Sequence, residues 1–310
     1  MGTMLGSFWR QVTSKPKLPP PNVRFDGKTA IVTGSNVGIG LEASKEMAAH
    51  GLSRVILGVR SVWELDLNSF ASAAAFGARS RELDRLDIVI LNAGIKTMEF
   101  TRAGTGHESN VQVNLLGTAL LSLLLLEPLK QTAKNVGSPS RLTVVASEVH
   151  FWAPFNEARA PSILQRLDEE DSFNKQNLIE RYNTSKLLGV LWTRELASGW
   201  TPSPWSSTLN PGIVASSLHR SDPTPGLGVM LKLLAWSPEM GGHTLTNAVA
   251  YHAEHQGAYL SEQRVTSPSP FVLSEDGNKA QKKLWDETLT VFAKEAPGFD
   301  PAMVPQWLSS

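Results

Sequence analysis

The chain has 310 residues, of which 29 are basic and 29 acidic, so its formal net charge at pH 7 is zero. It contains no cysteine, which excludes disulfides, thiolate nucleophiles, iron–sulfur clusters and cysteine zinc sites. The balanced charge gives no electrostatic footprint for nucleic acid or for an anionic membrane surface, so neither is expected as a partner.

Residues 1–24 are predicted to form an N-terminal arm that ends in a proline-rich stretch, and residues 25–310 a single domain. No secretory signal segment is recognisable, so the expected location is cytoplasmic. Short apolar runs then alternate with helical patterns. The predicted strands are Thr29–Thr33, Arg54–Val59, Trp63–Asp66, Asp87–Leu91, Arg141–Ala146 and Thr208–Asn210. The predicted helices are Gly38–His50, Ser69–Ala78, His107–Lys130 and Leu178–Ser198. This alternation favours an α/β fold with a parallel sheet covered on both faces.

A glycine-rich turn, Thr33 to Gly40, lies between the first predicted strand and the first predicted helix. Gly34 permits a tight exit from the strand, Gly38 lets the backbone approach a diphosphate, and Gly40 allows helix and strand to pack. The helix start offers free N–H groups and the positive end of a dipole to phosphates. The turn therefore predicts a dinucleotide site. Its expected cofactor-binding residues are Gly34, Ser35, Asn36, Gly38, Ile39 and Gly40.

Tyr182 and Lys186 are four residues apart, on one face of the last predicted helix. A phenol ionises near pH 10, so a tyrosine is a poor proton shuttle at pH 7 without help. The charge of Lys186 is expected to lower the pKa of Tyr182 and to leave the lysine free to bind sugar hydroxyls. Without the glycine turn, the pair would be read as two unrelated surface residues. Together, pair and turn predict nicotinamide-dependent carbonyl or alcohol chemistry.

Three further stretches have a distinctive composition. The apolar run from Val113 to Leu126 is about four residues too short to span a bilayer and is predicted to be a buried helix. Residues 149–181 form a polar substrate insertion whose acidic run, Asp168 to Asp171, is predicted to be solvated, and residues 202–236 are predicted to form a lid. His252 and His255 are interpreted as surface residues, and no metal site is expected.

Taken in order, these motifs resemble those of the short-chain dehydrogenase/reductase family, and within it the retinol-dehydrogenase-like branch common in fungi. The resemblance covers about residues 25 to 300 and implies a Rossmann-like, doubly wound parallel sheet. The motifs are Thr33 to Gly40, Asp66-Leu67, Asn92-Ala93-Gly94, Val113-Asn114-Leu115-Leu116-Gly117, Val145-Ala146-Ser147, Tyr182 to Lys186, and Pro211-Gly212.

The resemblance implies a role for each matching residue. Ser147 would polarise the substrate carbonyl, Tyr182 would donate the proton, and Lys186 would hold the nicotinamide ribose. Asn114 would anchor a water through which protons exchange with bulk solvent. The cofactor riboses and the nicotinamide would contact Asn92, Ala93, Gly94, Pro211, Gly212, Ile213 and Ser216.

The sequence departs from the family between Val59 and Trp63, where three residues stand in place of a helix and its flanks. A parallel crossover needs about a dozen residues. The second and third strands therefore cannot both occupy their usual places. Either the region refolds as a tight hairpin or an extended linker, or one edge strand is lost.

This edge shapes the adenosine pocket in the family. By resemblance, Arg60 would favour a 2′-phosphate, with Ser35 and Asn36 helping, while Asp66 and Leu67 would contact the adenine. The predicted cofactor is therefore NADP, with NAD as the second choice. If the deletion displaces Asp66, cofactor affinity is expected to fall.

The main hypothesis is an NADP(H)-dependent oxidoreductase that interconverts a hydrophobic ketone or aldehyde and its alcohol, with a role in secondary metabolism. Bulky residues of the two long loops are expected to line an apolar pocket: Phe151, Trp152, Phe155, Leu218, Leu227, Met230 and Trp236. One alternative is a catalytically impaired family member that acts as a binding or scaffold protein. Another is an enzyme that uses the tyrosine for epimerisation or dehydration. A homodimer is one further expectation, formed through the apolar helix and the Tyr182 helix.

Overall fold

The structure, a computed structural model, describes residues 3–199, 205–220, 222–251 and 255–305. Within these ranges the strands are β1 Thr29–Thr33, β2 Arg54–Gly58, β3 Ile88–Leu91, β4 Arg141–Val145, β5 Trp205–Asn210, β6 Ala258–Ser261 and β7 Arg264–Thr266. They form one sheet in the order β2-β1-β3-β4-β5-β6-β7. The first six strands are parallel to their neighbours, and β7 is antiparallel to β6.

Helices connect the strands and continue beyond them. Those before β4 are α1 Met4–Thr13, α2 Gly38–Ala49, α3 Phe70–Ser80, α4 Ser109–Val111, α5 Thr118–Leu124 and α6 Leu126–Val136. Those after β4 are α7 Ile163–Leu167, α8 Glu180–Ser198, α9 Leu227–Leu234, α10 Pro238–Ala250, α11 Pro270–Leu273 and α12 Glu275–Glu295. A π-helical turn, Gln112–Gly117, joins α4 to α5.

The sheet is covered on both faces. Successive side chains of a strand point to opposite faces. Ile31 accordingly packs in the cluster beneath α3, α5, α8 and α12, whereas Ala30 and Val32 pack in the cluster beneath α2 and α10. All five residues of β1 are buried, as expected for a parallel strand enclosed by two helical layers. The predicted doubly wound α/β fold is confirmed.

The edge next to β2 is short by one strand. Trp63 makes a single isolated bridge to Gly58, and the chain returns through Val59, whose N–H donates to Trp63 O over 3.0 Å. The predicted strand Trp63–Asp66 is therefore wrong. The alternative in which one edge strand is lost is confirmed, because three connecting residues cannot carry a crossover across the face of the sheet.

The N-terminal arm is more ordered than a tail. Residues 4–13 form α1, which begins at the cap Thr3, whose side chain accepts from Gly6 N over 3.2 Å. After the helix, Lys17 pairs with Gln263: Lys17 N donates to Oε1, and Nε2 donates to Lys17 O, both over 2.8 Å. The arm therefore lies along the β6–β7 end of the sheet.

The apolar helix is enclosed by the chain. Among the described residues, one helical stretch, 109–136, is long and apolar enough to cross a membrane by length and composition, and its apolar 18-residue window is buried in the protein. Helix α3 packs on α5, and α12 packs on α8, where Trp192 and Trp285 stack with centroids 4.4 Å apart. The two helices expected to form a dimer surface are thus covered within one chain.

The insertion 149–181 packs under α12. Ile163, Leu164 and Leu167 of α7 are buried, and Glu287 of α12 accepts from Ile163 N over 3.0 Å and Leu164 N over 2.9 Å. Asp168 accepts from Glu108 N and pairs with His107 Nδ1, both over 2.7 Å. The prediction of a fully solvated acidic run is therefore wrong at Asp168, which ties the insertion to α4.

Candidate active site

The carboxyl ends of β1, β3, β4 and β5 lie along one edge of the sheet, because these strands are parallel. Each end carries one predicted motif. The glycine turn follows β1, Asn92 follows β3, Ser147 follows β4 by two residues, and Pro211 follows β5. In open α/β sheets, ligands bind in the crevice at this edge.

Asn92 braces the glycine turn. Its Nδ2 donates to Thr33 O over 2.9 Å and to Gly34 O over 3.2 Å. A Cβ on Gly40 would lie 2.5 Å from that same nitrogen, and a Cβ on Gly34 only 2.8 Å from Ala93 Cα. Both glycines are therefore needed for close packing of turn and strand, and the side chain of Asn92 is committed to that turn.

The start of α2 has the chemistry of a phosphate site. No side chain caps its N-terminus at Val37, and its first turn contains no acidic residue. Gly38 has a φ of +65°, and the nearest atom to a Cβ placed there would be Ser216 Cβ at 4.0 Å. Uncapped N–H groups at a helix start are ready donors to an anion, so the turn fits a dinucleotide diphosphate.

The two polar residues of the turn differ in orientation. Ser35 is fully buried, and its hydroxyl donates to Val32 O over 2.7 Å. Asn36 is exposed. A phosphate near this turn would therefore meet the side chain of Asn36, whereas Ser35 would contribute its backbone.

Tyr182 and Lys186 lie next to the end of β4. Lys186 Nζ donates to Val145 O over 3.0 Å, two residues before Ser147, and lies 5.7 Å from the centroid of the Tyr182 ring. Both side chains are buried. The structure thus brings the predicted serine strand end, tyrosine and lysine together.

Burial sets the pKa values of this pair. It raises the pKa of the Tyr182 phenol above its ordinary value of 10 and lowers the pKa of Lys186 to about 8. The expectation that Lys186 lowers the pKa of Tyr182 is therefore wrong for the protein alone, because loss of water penalises both charged forms. At neutral pH the phenol carries its proton and the lysine is mostly charged.

Asn114 lies in the π-helical turn, a feature frequent at functional sites. Its Oδ1 accepts from Ile95 N over 2.9 Å, and its Nδ2 donates to Ile95 O over 2.8 Å and to Ser185 Oγ over 2.9 Å. The side chain thereby links the strand-end loop to the residue before Lys186. A Cβ on Gly94 would lie 3.0 Å from Asn114 Oδ1 and 3.5 Å from Lys186 Nζ.

His150 holds the backbone of Ser147 and was not singled out by sequence. Ser269 N donates to His150 Nε2 over 3.1 Å, so Nδ1 carries the proton and donates to Ser147 O over 2.7 Å. Burial lowers the pKa of His150 to about 4. The imidazole is therefore neutral at physiological pH and fixes the segment that presents the Ser147 hydroxyl.

Trp236 shapes the loop after β5. Gly212 has a φ of +79°, and a Cβ there would lie 2.3 Å from Trp236 Cζ3. Ile213 O accepts from Trp236 N over 2.9 Å. Pro211, which precedes this glycine, is partly buried. The tryptophan thus packs against the segment expected beside the nicotinamide.

At the shortened edge, where the adenosine is expected, the chain after β1 still contacts the end of β2. Gly34 N donates to Gly58 O over 3.0 Å, and Arg60, two residues further, is exposed. Leu67 is buried, and its carbonyl accepts from Gln112 Nε2 over 2.9 Å. Asp66 Oδ1 accepts from the backbone N–H of Asn68 over 3.0 Å. The Asp66-Leu67 pair is therefore anchored against the π-helical turn.

A buried ion pair joins the predicted lid to the site. Lys96 pairs with Asp222, and the two side chains are 3% and 2% exposed. Lys96 Nζ lies 5.7 Å from the centroid of the Tyr182 ring. The lid segment is thus fixed above the tyrosine. Residues 202–204 and 221 of the predicted lid, and His252, lie outside the described residues.

The bulky loop residues that were predicted to line an apolar pocket do not all lie in one place. Phe155 is buried against Phe271, with ring centroids 5.7 Å apart, so it is core. By contrast, α9 of the lid contains no buried residue, although it is rich in leucine. For the residues that the structure describes, no group of three or more histidine, aspartate or glutamate side chains could hold a metal ion.

Comparisons with known proteins identify close relatives. The chain is 60% identical over 286 residues to the short chain dehydrogenase sol3 of Alternaria solani, covering 86% of this chain and 99% of the relative. It is 33% identical over 310 residues to the short chain dehydrogenase/reductase dmxR8 of a Cryptosporiopsis strain, covering 91% and 95%. No protein-family model matches the chain.

The fold is shared with solved structures. An NADPH-bound carbonyl reductase from chicken fatty liver aligns with a TM-score of 0.59 at 17% identity, over 83% of this chain and 98% of that one. At this identity the likeness concerns the fold alone.

Proposed function

The chain belongs to the short-chain dehydrogenase/reductase family, and from that premise we propose that it interconverts a hydrophobic ketone or aldehyde and its alcohol with NADP(H). The observation that carries the proposal is the meeting of Lys186, Tyr182 and the Ser147 strand end at one point of the sheet edge. A role in secondary metabolism and a cytoplasmic location are predictions from the sequence.

The nicotinamide cofactor would be held by the chain along this edge. The uncapped start of α2 and the open surface at Gly38 support a diphosphate there. The ordered loop from Pro211 to Ser216 supports a nicotinamide beside it. When bound, the reduced cofactor would supply the hydride.

Tyr182 would act as the general acid in the reducing direction. The pKa of its phenol is raised by burial, so the group is protonated at neutral pH and has a proton to give. The charge of Lys186 would stabilise the phenolate that forms, and Asn114 would connect the lysine to the proton supply. The hydroxyl of Ser147 would bind the carbonyl oxygen, with its backbone held by His150.

NADP rather than NAD is proposed because Arg60 lies exposed close to the glycine turn, where a 2′-phosphate could pair with it. The apolar lid helix α9 supports a hydrophobic substrate, since its leucines are not used in the core. Both points concern specificity and are independent of the catalytic residues.

Titration with NADPH and, separately, NADH tests the cofactor, with nicotinamide fluorescence as the readout. Micromolar binding of NADPH with weaker NADH is expected. Turnover of hydrophobic ketones should then fall by about 10²- to 10⁴-fold in Tyr182→Phe. Tyr251→Phe, the same change at a tyrosine that is 38% exposed, should retain full activity. Full turnover by Tyr182→Phe would sink the mechanism.

The shortened edge supports a second candidate, a binding or scaffold protein without turnover. Loss of the strand beyond β2 removes part of the sheet that would flank the adenosine. This candidate predicts a cooperatively folded protein that binds neither NADPH nor NADH in the same titration.

A further inference from the structure

Helix α1 crosses the end of the sheet and contacts segments far away in sequence. Arg10 pairs with Glu148, the residue after Ser147, and its Nε lies 2.8 Å from Glu262 Oε1. The Ser7 hydroxyl donates to Glu148 Oε2 over 2.5 Å. The helix therefore connects the serine segment after β4 to the turn after β6.

The side-chain amide of Gln11 forms hydrogen bonds to the loop after β5 and to the end of α9. Its Nε2 donates to Ile213 O over 2.8 Å and to Leu234 O over 3.0 Å, and its Oε1 accepts from Ile213 N over 3.0 Å. The residue is 6% exposed. The amide thus pairs with both backbone groups of Ile213, as a neighbouring strand would, and joins Ile213 to the end of α9.

The backbone of Gln11 completes this arrangement. Its carbonyl accepts from Trp236 Nε1 over 2.9 Å, and the ring of that tryptophan lies against Gly212. Gly212 has a φ of +79°, which glycine adopts readily, and the Trp236 ring occupies the space that a side chain would need there. The segment 211–214 therefore contacts both the Trp236 ring, at Gly212, and the Gln11 amide, at Ile213.

We propose that Gln11 is a positioning residue for the nicotinamide half of the cofactor, acting through Ile213 and Gly212. The inference rests on the proposed function, which places this segment beside the nicotinamide. The Gln11 amide lies on the β5 side of the site, whereas the adenosine would lie at the opposite edge near Arg60. Gln11 should therefore affect one half of the cofactor and not the other.

The test compares two probes by titration, NADPH and 2′-phospho-ADP-ribose, which lacks the nicotinamide. In Gln11→Ala the Kd of NADPH should rise about tenfold, as for the loss of one or two net hydrogen bonds, while the Kd of 2′-phospho-ADP-ribose stays unchanged. Gln131→Ala, the same change at an exposed glutamine, should alter neither. An unchanged NADPH affinity, or an equal loss for both probes, would overturn the inference.

Gln11→Glu keeps the size of the side chain and gives a second readout should the alanine variant fail to fold. Its carboxylate would face two carbonyl oxygens, whereas its protonated acid can donate to one of them. NADPH affinity relative to the unaltered protein should recover as the pH falls from 8 to 5, and a flat ratio would count against a positioning role. Failure of the unaltered protein to bind NADPH would overturn the proposed function itself.

Discussion

Acidification should destabilise the fold through His150, and the size of the effect follows from its burial. His150 is 1% exposed, and burial lowers the pKa of its imidazole from 6.5 to about 4. In the unfolded chain the same group titrates near 6.5. The folded state therefore excludes a proton that the unfolded state binds, so stability is full above pH 6.5 and is lost as the pH falls toward 4.

The interval between 6.5 and about 4, at 1.36 kcal/mol per pH unit, corresponds to about 3 kcal/mol in total. About 2 kcal/mol of this is lost between pH 7 and pH 5. Urea unfolding at these two pH values measures the loss directly. His150→Asn keeps a donor near the position of Nδ1 and does not titrate, so its free energy of unfolding should fall by about 2 kcal/mol less than that of the unaltered protein.

Groups other than His150 contribute equally to both proteins and cancel in this comparison. His255→Asn, the same substitution at an exposed histidine, serves as the control for the change of residue type. If His150→Asn reproduces the pH dependence of the unaltered protein, the imidazole titrates normally in the folded state, and its role as a fixed neutral donor to Ser147 is refuted.

Three more predictions concern the cofactor edge, the nicotinamide loop and the lid. Arg60→Ala should raise the Kd of NADPH about tenfold and leave the Kd of NADH unchanged in a titration, because only NADPH carries a 2′-phosphate. An equal rise in both Kd values would contradict this role for Arg60. Gly212→Ala should lower the free energy of unfolding by about 3 kcal/mol, because the new methyl group would clash with Trp236 and alanine disfavours a positive φ. Gly104→Ala should leave the free energy of unfolding nearly unchanged, because the space around Gly104 is open. Asp222→Asn should leave the charge of Lys96 unpaired and speed limited proteolysis within residues 222–235 about fivefold or more; an unchanged cleavage rate would mean that this ion pair does not hold the lid.

The predicted residues that the structure brings together are those whose sequence patterns are local. A strand followed by Gly34, Gly38 and Gly40 has few conformations open to it, and Tyr182 and Lys186 share a helix face by spacing alone. Parallel topology then gathers the strand ends at one edge without further information. This is why the candidate site was predictable although several helices and the last two strands were not.

The features that could not be predicted from the sequence depend on burial or on contacts between residues far apart in the chain. The charge of Lys186 suggested a lower pKa for Tyr182, but exclusion of water dominates and reverses the direction. The three residues after Val59 excluded the usual crossover but left several outcomes open, of which the structure selects the lost edge strand. Gln11 carries no signal of its own, because its partner Ile213 lies 202 positions away.

The position of α1 has a consequence for biosynthesis. The helix leaves the ribosome before its partners Glu148, Ile213 and Glu262, which emerge much later. At 5–20 residues per second, the interval before Glu262 is made is on the order of 10–50 s. An isolated helix of 10 residues is marginal in water, so a nascent chain stalled before Ile213 emerges should leave residues 4–13 open to protease. Helix α1 would then reach its final position long after its own synthesis, and the loop after β5 would gain its Gln11 contacts only at that stage.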